Sequence, residues 1–411
     1  MVTETSYISL EPSYLPGSRL NGIATAITVV IFVIFIMMIC SCNTVEFIQD
    51  DNSKGKSMLH GEITILPNEL FYLNLIGSEL LAVSVDGKTI SLYNPKTENT
   101  ETIYTCNENI GYISNSLANR NWIIWVEQDN IEATDVLNWS ITAFDLQQRE
   151  TYTVDQGQFS ERYPVPAFIN FAPSSLSISN RNEMVYCKSI ISGHNIGSQV
   201  IHYDLDSQTR KVLQETDNVI DEWLYDCTIN NNIVAWSKFS QLNDDYSFRM
   251  SNYKYSDVFL YDISTETIEQ LTKEDFYCSP DIFENNLAMV YMPLTRQGQQ
   301  SSNTEIVLMD LLNKSIETIV DNNSEQYDIP GIGDELLRSI PVINSKYVFW
   351  YNTGMRDLFV YDYHEKKMTR VFEADYSNIQ NMATITRMFD NSFIIYENCN
   401  GKENTLFLEI S

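Results

Sequence analysis

The feature that most constrains this chain is a repeated motif: an alternating apolar run that ends on an acid or amide and then turns through polar residues. It is clearest at Asp257-Val-Phe-Leu-Tyr-Asp-Ile263, which continues through Ser264-Thr-Glu-Thr267 into Ile268-Glu-Gln-Leu-Thr272. Related runs are Ile90-Ser-Leu-Tyr-Asn94, Ile141-Thr-Ala-Phe-Asp145, Val200-Ile-His-Tyr-Asp204, Ile306-Val-Leu-Met-Asp310, Leu358-Phe-Val-Tyr-Asp362 and Leu406-Phe-Leu-Glu409. Their last residues are spaced 51, 59, 58, 48, 52 and 47 positions apart. Period-2 alternation closed by a turn-forming carboxylate reads as a strand entering a tight turn, and a step near fifty residues is the period of a repeat architecture.

Each copy has a second apolar run upstream, such as Trp122-Ile-Ile-Trp125, Ile233-Val-Ala-Trp236 and Tyr347-Val-Phe-Trp350, and a weaker run before that, such as Leu176-Ser-Ile178 or Ile340-Pro-Val-Ile343. Every unit therefore carries four strands, and four-stranded sheets repeated at even spacing pack radially. The expected fold is all-β: a seven-bladed β-propeller of four-stranded antiparallel blades. An open or two-sheet arrangement fits the even spacing less well. The seventh unit ends after its third strand at Ser411, and the orphan alternating run Glu62-Ile-Thr-Ile-Leu66 is expected to pair there and close the last blade.

Residues 1–20 form a polar n-region, and no charge occurs between Arg19 and Glu46. Within that gap Ile23 to Ile39 is apolar apart from two threonines, which implies an N-terminal hydrophobic signal or anchor helix over 21–42. The run ends in Ile39-Cys-Ser-Cys42, which resembles the lipobox of bacterial lipoproteins and implies lipidation of Cys42; an uncleaved membrane helix is the alternative. Arg19 before the run and Glu46, Asp50 and Asp51 after it favour a propeller held at the membrane on its extracytoplasmic side. Residues 43–58 read as a flexible tether and 59–411 as the propeller.

The chain carries 55 acidic against 26 basic residues, a net charge of −29, which makes nucleic acid an improbable partner. Five cysteines beyond the apolar run, Cys106, Cys187, Cys227, Cys278 and Cys399, are far apart and read as buried thiols. Asn243-Asp-Asp245 lacks calcium-loop spacing, and neither a metal nor a cofactor is expected.

Segments linking second to third strands, and one unit to the next, are long: Glu127–Ser140, Lys188–Ser198, Ser237–Ser256, Asp155–Ser174 and Asn322–Arg338 among them. In a radial array these open on one face and build a rim, where binding residues collect. Its candidate ligand-binding residues are Tyr246, Phe248, Arg249, Tyr253, Trp139, Arg162, Tyr163 and Arg296, an aromatic and basic set inside an acidic protein. Trp125, Trp236 and Trp350 fall at equivalent strand positions and read as core. No catalytic residue is assigned: the chain has four histidines and no G-x-S-x-G, H-E-x-x-H or phosphate-binding glycine loop.

The pattern Tyr-Asp-Ile-x-Thr-x-Thr-x-x-x-Leu-Thr at Tyr261–Thr272, with Cys278-Ser-Pro-Asp281 and Leu287–Tyr291, resembles TolB-like propeller repeats. The resemblance implies a scaffold and transfers no site residue. Propellers of this kind serve as extracytoplasmic binding modules, as domains of serine peptidases and, in one branch, as metal-dependent oligogalacturonate lyases. This chain lacks a hydrolase domain and a histidine cluster. The expectation is a non-enzymatic module binding a protein, peptide or glycan; the alternatives are a polysaccharide lyase or hydrolase, and a structural or sensory subunit of an envelope complex.

Overall fold

Asn94, Asp145, Asp204, Asp262, Asp310 and Asp362 each end a strand, and each side chain folds back on the turn it starts. In five of the six turns the side-chain oxygen accepts two consecutive backbone N–H groups, as when Asp145 takes those of Gln147 and Gln148 at 2.8 and 2.9 Å; Asp310 takes that of Leu312 at 2.8 Å. The fourth residue on, Glu98, Arg149, Gln208, Glu266, Lys314 or Lys366, adopts φ between 53° and 62°. A carboxylate or amide at the first position and a left-handed residue at the fifth reverse the chain in a fixed register.

The computed structural model describes residues 44–46, 60–106, 110–129, 136–160, 173, 175–192, 195–242, 253–293, 304–320, 340–352, 357–372, 382–389, 392–399 and 402–410. Strands β1 (Thr44–Glu46) and β2 (His60–Leu66) precede the first full sheet, β3 (Leu70–Ile76), β4 (Glu79–Ser84), β5 (Thr89–Asn94) and β6 (Asn99–Thr105). The second is β7 (Ile110–Ala118), β8 (Trp122–Asp129), β9 (Val136–Asp145) and β10 (Glu150–Ser160). The third is β11 (Ser175–Ile178), β12 (Glu183–Ser192), β13 (Asn195–Asp204) and β14 (Thr209–Thr216). The fourth is β15 (Glu222–Asn230), β16 (Ile233–Leu242), β17 (Tyr253–Asp262) and β18 (Thr267–Gln270). The fifth is β19 (Tyr277–Phe283), β20 (Asn286–Tyr291), β21 (Glu305–Asp310) and β22 (Ile316–Val320), and the sixth β23 (Val342–Ile343), β24 (Tyr347–Asn352), β25 (Asp357–Asp362) and β26 (Lys367–Phe372). Strands β27 (Met382–Phe389), β28 (Ser392–Cys399) and β29 (Lys402–Ile410) join β2 and β1 in a sheet made from both ends of the described chain.

Seven four-stranded blades were the expectation, and the strand order corrects it: six sheets have four strands, whereas the closing sheet has five. Glu62–Leu66 does lie antiparallel to Thr405–Glu409. The extra strand is Thr44–Glu46, inside the stretch read as a tether. It pairs on the outer side of β2, Thr44 opposite Glu62 and Glu46 opposite His60. An exposed strand edge recruits a partner, and the β-branched pair Thr44-Val45 is suited to supply one. The described residues contain no helix; the expected N-terminal helix over 21–42 lies outside them.

The first strand of each sheet packs against the first strand of the next, in the order β27, β3, β7, β11, β15, β19, β23, which is the radial arrangement of a β-propeller. Side chains tie these strands across the seams. Asn74 donates to the Ala118 carbonyl at 2.9 Å and Asn119 to that of Ser179 at 2.8 Å. Asp281 accepts from the Thr228 hydroxyl at 3.0 Å and the Ile343 N–H at 2.8 Å, so one carboxylate holds three successive sheets. Trp125, Trp236 and Trp350 are fully buried, as the sequence suggested. Trp236 stacks on Phe259 at 5.9 Å and Trp350 on Phe359 at 5.8 Å, each pair directly opposed across adjacent strands. Such pairs add about 1 kcal/mol each beyond area burial.

Candidate functional site

Strands β9 and β10 run to ten and eleven residues, and β8 ends beside them at Asp129. The register of β10 against β9 shifts between Thr153 and Asp155. Beyond that bulge, Gly157 lies opposite Trp139 and Gln158 opposite Asn138, while across the hairpin Gln128 lies opposite Trp139. The residue alternation here puts carboxamides and carboxylates where a core-facing strand would carry apolar groups.

The result is a cleft of about 540 Å³, open to solvent, lined by Glu127, Gln128, Asp129, Asn138, Trp139, Ser140, Gln156, Gly157 and Gln158. Its floor is fixed by hydrogen bonds. Gln128 donates to the Ser114 hydroxyl at 2.7 Å and accepts from Tyr112 at 3.1 Å, and Glu127 accepts from the Trp125 indole N–H at 2.6 Å. Its mouth is a ladder across three strands: the Gln158 amide donates to Asn138 Oδ1 at 3.0 Å, and the Asn138 amide donates to Asp129. Asn138, Gln156 and Gln158 are exposed, whereas Trp139 keeps only 5% of its surface. A Cβ on residue 157 would overlap the Trp139 ring, so glycine lets β10 approach it.

The next sheet buttresses this wall. Asp155 accepts from Lys188 Nζ and from the Tyr186 hydroxyl, both at 2.7 Å, and Lys188 also lies 5.5 Å from the centre of the Trp139 ring. Burial pulls the Lys188 ammonium below its usual range, with Asp155 opposing that, and burial pushes the Tyr186 phenol up.

Of the residues singled out from sequence, Trp139 sits in this cleft as part of its floor. Tyr253 is fully buried in a cluster with Trp223, Phe239 and Phe276, and its hydroxyl donates to the Val219 carbonyl at 2.6 Å, so its ring closes the base of the β16–β17 hairpin. Tyr246, Phe248, Arg249, Arg162, Tyr163, Arg296 and Cys42 lie outside the described residues. The exposed amides Asn138, Gln156 and Gln158 were missed; the signal available was the Gln156-Gly-Gln158 alternation, polar on the face of a strand end. Among the described residues no group of three His, Cys, Asp or Glu side chains is placed to hold a metal. His202 and Glu183 approach within 3.8 Å, but Glu183 begins β12 and His202 pairs with Val185, at the end of the third sheet that carries its short turns.

No family model matches the chain, and no curated protein matches it in sequence. Solved structures match it in fold. An oligogalacturonate lyase in complex with manganese aligns with a TM-score of 0.52 at 12% identity, over 90% of this chain and 96% of the other. The oligogalacturonate lyase of Vibrio parahaemolyticus gives 0.52 at 12%, over 90% and 97%. The acylaminoacyl peptidase of Pyrococcus horikoshii gives 0.52 at 12% over 83% of this chain and 51% of that one. Likeness at this identity is one of scaffold.

Proposed function

We propose that this protein is a membrane-held, extracytoplasmic propeller that binds a protein, peptide or glycan without transforming it, and that the cleft over β8, β9 and β10 is its binding site. The observation that carries this reading is the cleft itself: a solvent-open cavity lined by hydrogen-bonding side chains, several of them held by bonds within their own sheet. Such a site recognises by complementarity, since its groups are set before a ligand arrives. Support for the membrane comes from the apolar run 23–39 and the Cys42 that closes it.

Two experiments test the reading. Intact-mass analysis and protease shaving of the protein in a bacterial host, beside Cys42→Ala, should give a lipidated chain cleaved from outside; a full-length chain protected in the cytoplasm refutes the localisation. Capture of ligands from extracellular extract should weaken when Asn138 and Gln158 are replaced by Ala, and unchanged capture refutes the site. The alternative, an oligogalacturonate-type lyase, draws on the fold likeness at a TM-score of 0.52. Release of unsaturated product from oligogalacturonate would establish it in place of binding alone.

A further inference from the structure

Resting on that reading of the cleft, we infer that its ligand is an uncharged, hydroxyl-rich oligosaccharide. The argument begins with what the lining offers. The groups presented to solvent are the carboxamides of Asn138, Gln156 and Gln158 and the Asp129 carboxylate. Trp139 contributes only a covered ring, beneath Gly157 and Lys188. A peptide or a protein surface binds through apolar or aromatic anchors seated in desolvated pockets, and the described lining residues form no such pocket. What the described lining offers a ligand is hydrogen bonds. Carboxamides both donate and accept, as sugar hydroxyls do, so each can engage a pair of neighbouring hydroxyls.

Spacing supports the same class. Gln158, Asn138 and Asp129 belong to three successive strands, which lie about 4.8 Å apart, a repeat on the scale of one pyranose ring. The ladder hydrogen bonds hold the three groups in one row before a sugar binds, so little side-chain entropy remains to be lost. Charge then selects against uronates: Glu127 and Asp129 line the cleft with carboxylates, in a protein of net charge −29. A polyanionic chain would bring like charge against them. The cleft thus prefers a neutral glycan to the acidic one named for the lyases that share its scaffold.

With no exposed aromatic platform among the described lining residues, the affinity for one chain should be weak, Kd on the order of 1 mM. The test uses full-length protein in a sugar-free detergent, with ligand-observed NMR against maltohexaose, cellohexaose, xylohexaose, mannohexaose and N-acetylchitohexaose, with hexagalacturonate as the anionic control and a peptide array in parallel. Asn138→Ala and Gln158→Ala are the probes, and equal urea midpoints establish that they fold. The expected result is binding of at least one neutral chain, a loss of tenfold or more in both variants, and no hexagalacturonate signal. Hexagalacturonate bound as tightly as the neutral chains overturns the class, as does glycan binding indifferent to both substitutions. Peptides bound in place of glycans, and lost in the variants, would overturn the class while leaving the cleft as the binding site. Silence on glycans and peptides alike would overturn both readings.

Discussion

Asp257 offers a quantitative test of how this scaffold carries its charge. It lies on β17 opposite Lys238, keeps 7% of its surface exposed, and its Oδ1 has no partner among the described residues. Burial raises its pKa to about 6, while the Lys238 ammonium and the backbone N–H groups of Glu274 and Asp275 pull the other way. The Lys238 ammonium is shared, since it also donates to Glu222 at 2.7 Å. The folded protein thus binds this proton more tightly than the unfolded chain, where the pKa is 3.8. Stability from Asp257 is therefore full below pH 4, falls as pH rises toward 6, and stays low above it. A shift of about two units corresponds to about 3 kcal/mol. In Asp257→Asn the side-chain oxygen can keep the backbone N–H groups while the amide occupies the position of Oδ1. Urea denaturation of both proteins at pH 4.5 and 7.5 gives the double difference. The variant should gain about 2 kcal/mol on the wild type between the two pH values. Asp226, also raised to about 6 by burial, titrates in both proteins and cancels. A gap between the two proteins that does not change with pH would refute the assignment.

Other outcomes follow from single contacts. Gln208→Gly relieves a left-handed turn residue at φ 53° and should stabilise the fold by about 0.5 to 1 kcal/mol in urea titration. Gly157→Ala drives a methyl into the Trp139 ring and should cost about 1 to 3 kcal/mol while quenching-based accessibility of that tryptophan changes. Lys188→Met leaves the Asp155 carboxylate, 9% exposed, with the Tyr186 hydroxyl at 2.7 Å and Arg210 at 4.0 Å, and should cost about 1 to 3 kcal/mol, readable as a shifted urea midpoint. Deleting residues 60–66 uncovers the edge of β29 and should convert the soluble fraction to aggregates in light scattering.

Much of the architecture was legible because the repeating unit ends in residues with one dominant conformational use. Asp204 and Asp262 begin the same turn wherever they occur, so the strand pair around them can be read without tertiary information. The tryptophans of β8, β16 and β24 were legible for the same reason: a fixed place in the repeat fixes the face. Three things were not. Thr44–Glu46 is too short for periodicity, and only the open edge of β2 makes it a strand. Segments read as long loops, Lys188–Ser198 and Glu127–Ser140, are largely strand, since Lys188-Ser-Ile-Ile-Ser192 pairs with Asn195–Gln199 although its polarity mimics a connection. The cleft itself depends on which strand ends bend together past a bulge, which local sequence does not encode. Aromatic content drew attention to Tyr253, which packs inward, and away from Asn138 and Gln158, which face solvent.

The pairing of β1 on β2 has a mechanical consequence. Tension entering through residue 43 loads β1 first, and its three residue pairs, Thr44 with Glu62 through Glu46 with His60, are the weakest link in series. Their rupture would pay out residues 44–59, roughly 50 Å of extended chain, before any force reached the six pairs by which β2 joins β29. β1 therefore acts as a fuse. If the chain is held at its N-terminal side, as proposed above, a pull of brief duration would spend itself on β1 and leave the pairing of β2 with β29 intact.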